Sequence, residues 1–160
     1  MTSGQSTLRS LILLIQESYS HRAWHGPNLR GSIRGISARR ASKRPGRGRH
    51  NISEIVVHCA YWKYAVRRRL LREKRGSFPI KGSNWFRRPE EGSETAWKRD
   101  IALLQQCHEN LMKAIRTIHP SSLNRKHHGS KISHETLLRG IASHDVYHAG
   151  QIQLIKRLLG

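Results

Sequence analysis

The fold is decided by a segment near the C-terminal end of the chain, which reads HETLLRGIASHDVYHAGQIQLIKRLL at residues 134–159. Apolar residues recur in it at helical spacing, so it predicts an amphipathic helix over about 133–159 that is capped by Ser133. His144 and His148 are four residues apart and therefore lie one above the other on the same helical face. That spacing lets two imidazoles bind one metal ion. The predicted inner stripe consists of Leu137, Ile141, His144, His148, Gln151 and Ile155.

A third histidine, His58, lies on the apolar stripe of another predicted helix, over about 51–74. Asn51 and Glu54 resemble a capping box at the start of that helix. Three histidines that leave a coordination position open would form a catalytic type of metal site. Spacing alone does not distinguish such a metal site from histidines that are hydrogen-bonded in the core. The opposite, solvent-facing side of this helix is expected to carry Lys63, Arg67 and Arg68.

The remaining segments complete an all-α prediction. Helical periodicity predicts two further helices, one over about 6–20 that is capped by Ser6 and one over about 94–118 that is capped by Ser93. Glycines and prolines mark a loop-like connection over 24–50 and a second one over 76–92, where Trp85 and Phe86 should pack against the helices. We find no internal repeat and no strand-like alternation. We therefore expect one domain, residues 1–160, folded as a four-helix bundle with long connections between helices one and two and between helices two and three.

The charge is extreme: 30 Lys and Arg residues against 10 Asp and Glu residues give a formal net charge of +20. A dense basic run at 39–49 is either a solvated connection or a contact surface for phosphates. This composition supports an alternative function, that of a basic nucleic-acid-associated binding protein without catalysis. Against it, basic residues are scattered through every segment, and aromatic residues are not interleaved with them for stacking. We expect at most weak, nonspecific nucleic-acid binding.

Two cysteines, Cys59 and Cys107, fall inside predicted helices without CxxC spacing. Buried, reduced thiols in a cytoplasmic protein are the simplest interpretation. The apolar run at 11–15 is too short for a signal peptide, and no segment approaches the length needed to cross a bilayer. We therefore expect no membrane partner, while an apolar face of the bundle would allow a homodimer.

Three motifs together resemble the DinB-like (DinB/YfiT) superfamily of metal-binding four-helix bundles. They are WHGPNL at 24–29, RHNISEIVVH at 49–58 and HDVYHAGQI at 144–152, in that order along the chain. The last motif is the most specific, since it combines metal-ligand spacing with a long fixed context. The resemblance implies that His58, His144 and His148 bind a divalent metal ion.

The resemblance also implies a range of activities. The family includes metal-dependent hydrolases and thiol-dependent S-transferases and isomerases, so we expect a small-molecule substrate and either an activated water or a low-molecular-weight thiol. Three imidazoles suit zinc, nickel, iron or manganese, and the sequence does not select among them.

Four further residues have expected roles close to the metal. Gln151 is either a buried hydrogen-bonding group or a residue that orients water or substrate. Tyr147 is expected to pack beside the site, and the alternative is that it offers its phenol there. His25 is expected to line the mouth of the pocket. Asp145 should face away from His144, either on the surface or orienting an imidazole of a neighbouring helix. A loop pair, His127 and His128, is interpreted as solvated.

Overall fold

The computed structural model describes residues 2–89, 92–126 and 129–160. The predicted fold class is confirmed: four long helices form a bundle, and the described residues contain no β-strand. The helices are α1 (Ser3–Tyr19), α2 (Leu29–Ile33), α3 (Ala38–Ser42), α4 (Ile52–Leu71), α5 (Glu94–Thr117) and α6 (His134–Leu158), with a single 3₁₀ turn at Pro120–Ser122.

The helix ends follow from their caps. Asn51 and Glu54 form the expected capping box of α4, and Ser93 and Ser133 cap α5 and α6 through their side-chain oxygens. The predicted cap Ser6 of α1 is wrong, because Thr2 caps the helix and starts it at Ser3. Helix α4 ends at Leu71, earlier than expected. The next residue adopts the left-handed conformation (φ 57°) that terminates helices.

Helix α4 is the centre of the bundle. It packs against both α5 and α6, while α1 packs against α6. Every residue from 52 to 60 is buried, so the first half of α4 has no solvent-facing side. The side chains of Val56, Leu104 and Ile152 meet there in one apolar cluster, and those of Ile15, Leu111 and Leu138 form a second cluster. The histidine of α4 is therefore presented from a rigid, packed element.

The loop-like interpretation of residues 24–50 is wrong in part, because this connection contains α2 and α3. Asn28 and Ser37 cap the two short helices, whose apolar residues are buried in the core. The backbone N–H of Ala38 donates to the Glu94 carboxylate at 2.8 Å, and the Trp97 indole donates to the Ile36 carbonyl at 2.8 Å. The connection thus closes the end of the bundle at which α4 and α5 begin.

The expectation of a solvent-facing basic side on α4 is wrong for two of its three residues. Lys63 has no exposed surface, and Arg68 is buried. Lys63 contacts a carboxylate of α6, and Arg68 donates to the Glu73 carbonyl at 3.1 Å. Charged side chains enter the interior only when such partners are present, and helical periodicity does not reveal them. No described helix is long and apolar enough to cross a membrane.

Candidate metal centre

Three histidine rings converge between α4 and α6. The Nε2 atom of His144 lies 3.0 Å from Nε2 of His58 and 3.1 Å from Nε2 of His148. Two of these ligands follow from the four-residue spacing on α6, and the third comes from the packing of α4 against it. The structure therefore brings together the three histidines that the sequence singled out.

His58 is held in place by the second connection. Its Nδ1–H donates to the backbone carbonyl of Asn84 at 2.8 Å, and the Trp62 indole donates to the side chain of Asn84 at 2.9 Å. The ring of Trp85 stacks on His58 at 3.8 Å and, on its other face, on His50 at 3.7 Å. Because a carbonyl can only accept, the hydrogen of His58 is on Nδ1, and its Nε2 lone pair points to the other two histidines.

His148 is oriented by a residue on its own helix. Its Nδ1 lies 2.7 Å from Oε1 of Gln151, whose amide nitrogen donates to the Tyr147 hydroxyl at 2.9 Å. Gln151 thus acts as a hydrogen-bonding partner of the histidine. Tyr147 packs edge-on beside the His148 ring at 5.0 Å, as expected, yet 62 % of it is exposed. This places a phenol at the outer edge of the site.

All three rings are neutral at physiological pH. Burial, together with the neighbouring histidines, lowers the pKa of His144 to about 3 and that of His148 to about 4. Burial also lowers the pKa of His58. Neutral imidazoles are the form that binds a metal ion, because the ligating nitrogen must carry a lone pair.

The distances between the three nitrogens fit a shared ion. Nitrogens that each lie about 2.1 Å from one ion are about 3.0–3.4 Å apart in octahedral or tetrahedral coordination. The observed separations of 3.0 and 3.1 Å agree with this. The group of His58, His144 and His148 could therefore hold one metal ion.

Comparison with known proteins agrees with the geometry. A family model described as the DinB superfamily matches residues 21–152. The chain belongs to the DinB superfamily. Searches of curated proteins and of solved structures gave no match. The matched region contains all three histidines of this DinB-superfamily protein.

Asp145 in this DinB-superfamily protein is buried, so the first of its two expected places, the surface, is wrong. Its carboxylate bonds Lys63 and forms no hydrogen bond with an imidazole of the described residues. Neither Asp145 nor Lys63 has any exposed side-chain area, and the two form an ion pair between α6 and α4. Burial raises the pKa of Asp145 to about 6, although the Lys63 ammonium acts in the opposite direction. The ammonium also lies 4.8 Å from the centre of the Tyr19 ring, which adds a contact to α1.

A second group of potential ligands lies beside the first. Cys59, His144 and Asp145 bring ligand-type atoms within 4.8 Å of one another. Nδ1 of His144 and Oδ1 of Asp145 are buried and have no hydrogen-bond partner in the described part of the chain. The Lys63 ammonium already neutralises Asp145, so this group is less suited to a cation than the three histidines are.

Two other histidines, His25 and His108, form no ring contact or hydrogen bond with the three rings. His25 is exposed after α1 and forms no hydrogen bond or ring contact with the described residues, so its expected place at the pocket mouth has no support. His108 stacks on Tyr19 at 3.6 Å in the interior. His127 and His128 lie outside the described residues. His50 and Asn84 were not predicted as site residues, and only the resemblance motif at 49–58 pointed towards His50.

Breaking the ion pair of Lys63 and Asp145 should destabilise the fold. We expect Lys63→Met or Asp145→Leu alone to lower the free energy of unfolding by about 3–5 kcal/mol, because each leaves a charge buried without its partner. The double variant should recover most of this loss, since it removes both charges. Urea denaturation at pH 7 measures these differences.

The matched control is Arg139→Met, which breaks the exposed pair of Arg139 and Glu135 on the same helix. It should change the free energy of unfolding by less than about 1 kcal/mol. Single variants at Lys63 and Asp145 that are as stable as this control would contradict the assigned role of the buried pair.

Proposed function

We propose that this DinB-superfamily protein binds one divalent metal ion through His58, His144 and His148 and catalyses a metal-dependent reaction, either hydrolysis or transfer of a thiol. The convergence of three neutral imidazole nitrogens at 3.0 and 3.1 Å carries the proposal. A bound ion would supply Lewis-acid activation of a water molecule or a thiol. The protein's own contribution is to hold the three rings neutral and oriented.

The surrounding side chains favour thiol transfer over hydrolysis. Metal-dependent hydrolases commonly place a free carboxylate beside the ion, where it accepts a proton from the bound water. Asp145 is tied to Lys63, and Glu54, one turn before His58, accepts hydrogen bonds from Arg44 and contacts His50. No carboxylate in the described part of the chain forms a hydrogen bond or ion pair with any of the three histidines. A thiol is a much stronger acid than water, so a metal-bound thiol would lose its proton to solvent without such a carboxylate and become the nucleophilic thiolate.

The thiol would have to come from a separate small molecule. Both cysteines are free and buried, and burial raises the pKa of Cys107 to about 11 and that of Cys59 well above its usual value. Protonated, buried thiols are poor nucleophiles. A low-molecular-weight thiol is therefore the expected co-substrate.

Metal content tests the site directly. We expect plasma mass spectrometry of the untagged protein to find about one equivalent of metal per chain. His58→Ala and the His144→Ala, His148→Ala double variant should contain almost none, since each loses ligands of the same ion. His119→Ala is the control that should keep the metal, because this histidine is exposed and its side chain hydrogen-bonds only Ser121 among the described residues.

The same samples separate the two reactions. Metal-loaded protein would be assayed with cysteine plus monochlorobimane, an electrophile that fluoresces after thiol addition, and with a nitrophenyl ester. Absence of metal from the native protein, even after reconstitution, would contradict the proposal.

Gln151 should control metal affinity, because its side chain orients the His148 ring. We expect Gln151→Leu to weaken zinc binding by about 10- to 100-fold, the usual effect of removing such a partner. Competition with a chromogenic chelator measures this affinity. Gln153→Leu is the control, because Gln153 lies on the same helix and forms no side-chain hydrogen bond with the described residues. Equal zinc affinity in the two variants would show that Gln151 does not support the ligand.

A further inference from the structure

An apolar cavity of about 290 Å³ opens beside His144. Its size is at the lower end of the range for small-molecule sites, about 300–1,000 Å³. Its walls are almost entirely apolar, and His144 brings the candidate metal centre to one side of it. Its lining includes Trp62, Ile132 and Ile141, together with Arg69 and His144.

A cationic cleft of about 500 Å³ adjoins this cavity. Arg69 and Ile132 line both spaces, and Arg68, Arg75 and Lys131 line the cleft as well. No carboxylate from the described residues lines either space. The cleft therefore presents a local excess of positive charge next to an apolar wall.

Arg69 is the residue that joins the two spaces. Its guanidinium lies 5.7 Å from the centre of the Trp62 ring, and that ring centre lies 6.3 Å from the centre of the His144 ring. Arg69 has no carboxylate partner among the described residues. Its pKa is lowered by partial burial and by the positive charges of Arg68 and Arg75. A cation crowded by like charges gains most from an anionic ligand.

We propose that the two spaces bind an organic anion that is the substrate of the candidate metal centre. Its apolar body would lie against Trp62 and Ile141, and its carboxylate, sulfonate or phosphate group would lie among Arg69, Arg75 and Lys131. This assignment rests on the proposed function, since it gives the substrate class of the same site. It also assigns Arg69, Arg75 and Lys131 to ligand binding, whereas a net charge by itself produces only a diffuse electrostatic field.

A pair of matched fluorescent probes tests the proposal. 8-Anilinonaphthalene-1-sulfonate has an apolar ring system and an anionic group, and N-phenyl-1-naphthylamine has the same rings without the sulfonate. At 0.15 M salt, we expect the full-length protein to bind the sulfonate at least about tenfold more tightly than the neutral probe. Arg69→Met should remove about tenfold of the sulfonate affinity and leave the affinity for the neutral probe within about twofold.

Two further variants keep the test independent of folding. Arg75→Met changes an exposed residue of the cleft and should also weaken sulfonate binding selectively. Arg116→Met, at an exposed position of α5 that lines neither space, should change neither affinity. Equal affinities for the two probes, or equal losses in Arg69→Met and Arg116→Met, would overturn the proposal.

Two controls distinguish the anion site from the metal centre and from diffuse binding of nucleic acid. Metal content would be measured in the same samples and in His58→Ala. A native protein that contains no metal and still prefers the sulfonate would contradict the metal centre and support the anion site. A metal-loaded protein without that preference would overturn the anion site alone. Binding of a 20-nucleotide single strand that falls equally in Arg69→Met and Arg116→Met, without any probe preference, would assign the charge to diffuse polyanion binding instead.

Discussion

The buried ion pair between Lys63 and Asp145 is the constraint on which the candidate metal centre depends. Asp145 follows His144 directly on α6, and Lys63 lies on α4 in the turn after His58. Both charges are fully buried, so sliding the two helices past each other would leave them unpaired at a cost of several kcal/mol. We infer that the pair fixes the register in which His58 faces His144. Burying the two charges costs free energy through desolvation, and the resulting pair specifies one arrangement of α4 and α6.

The three ligands are positioned by different physical means. His144 and His148 share one helix, so their relative position follows from the helical repeat alone. His58 comes from a different helix and is fixed by contacts that cross the sequence, with Asn84 at its Nδ1 and Trp85 on its ring face. The second connection is therefore part of the site, even though it supplies no ligand. The same connection and α4 also line a cavity of about 590 Å³.

The sequence predicts what depends on local periodicity. The four long helices and the facing of His144 and His148 follow from spacing, and the capping box of Asn51 and Glu54 marks where α4 begins. Lys63 shows where this reasoning fails: a lysine is normally exposed, and its burial depends on Asp145, which is distant in sequence and close in space. Asn84 and Trp85 belong to a connection without periodicity, so their contacts with His58 arise only from tertiary packing. The helices α2 and α3 have only five residues each, too few to show a helical period, and they lie in a segment rich in glycine and arginine.

The central claim is that three imidazoles, and not a thiolate, bind the ion. X-ray absorption spectroscopy of the zinc-loaded protein tests it most directly, because nitrogen and sulfur ligands differ in distance, at about 2.0–2.1 Å and about 2.3 Å. In thiol-free buffer, we expect three imidazole nitrogens bound to the zinc and no sulfur. A sulfur scatterer would identify the neighbouring group of Cys59, His144 and Asp145 as the site. Fewer than three imidazoles would contradict the centre formed by His58, His144 and His148.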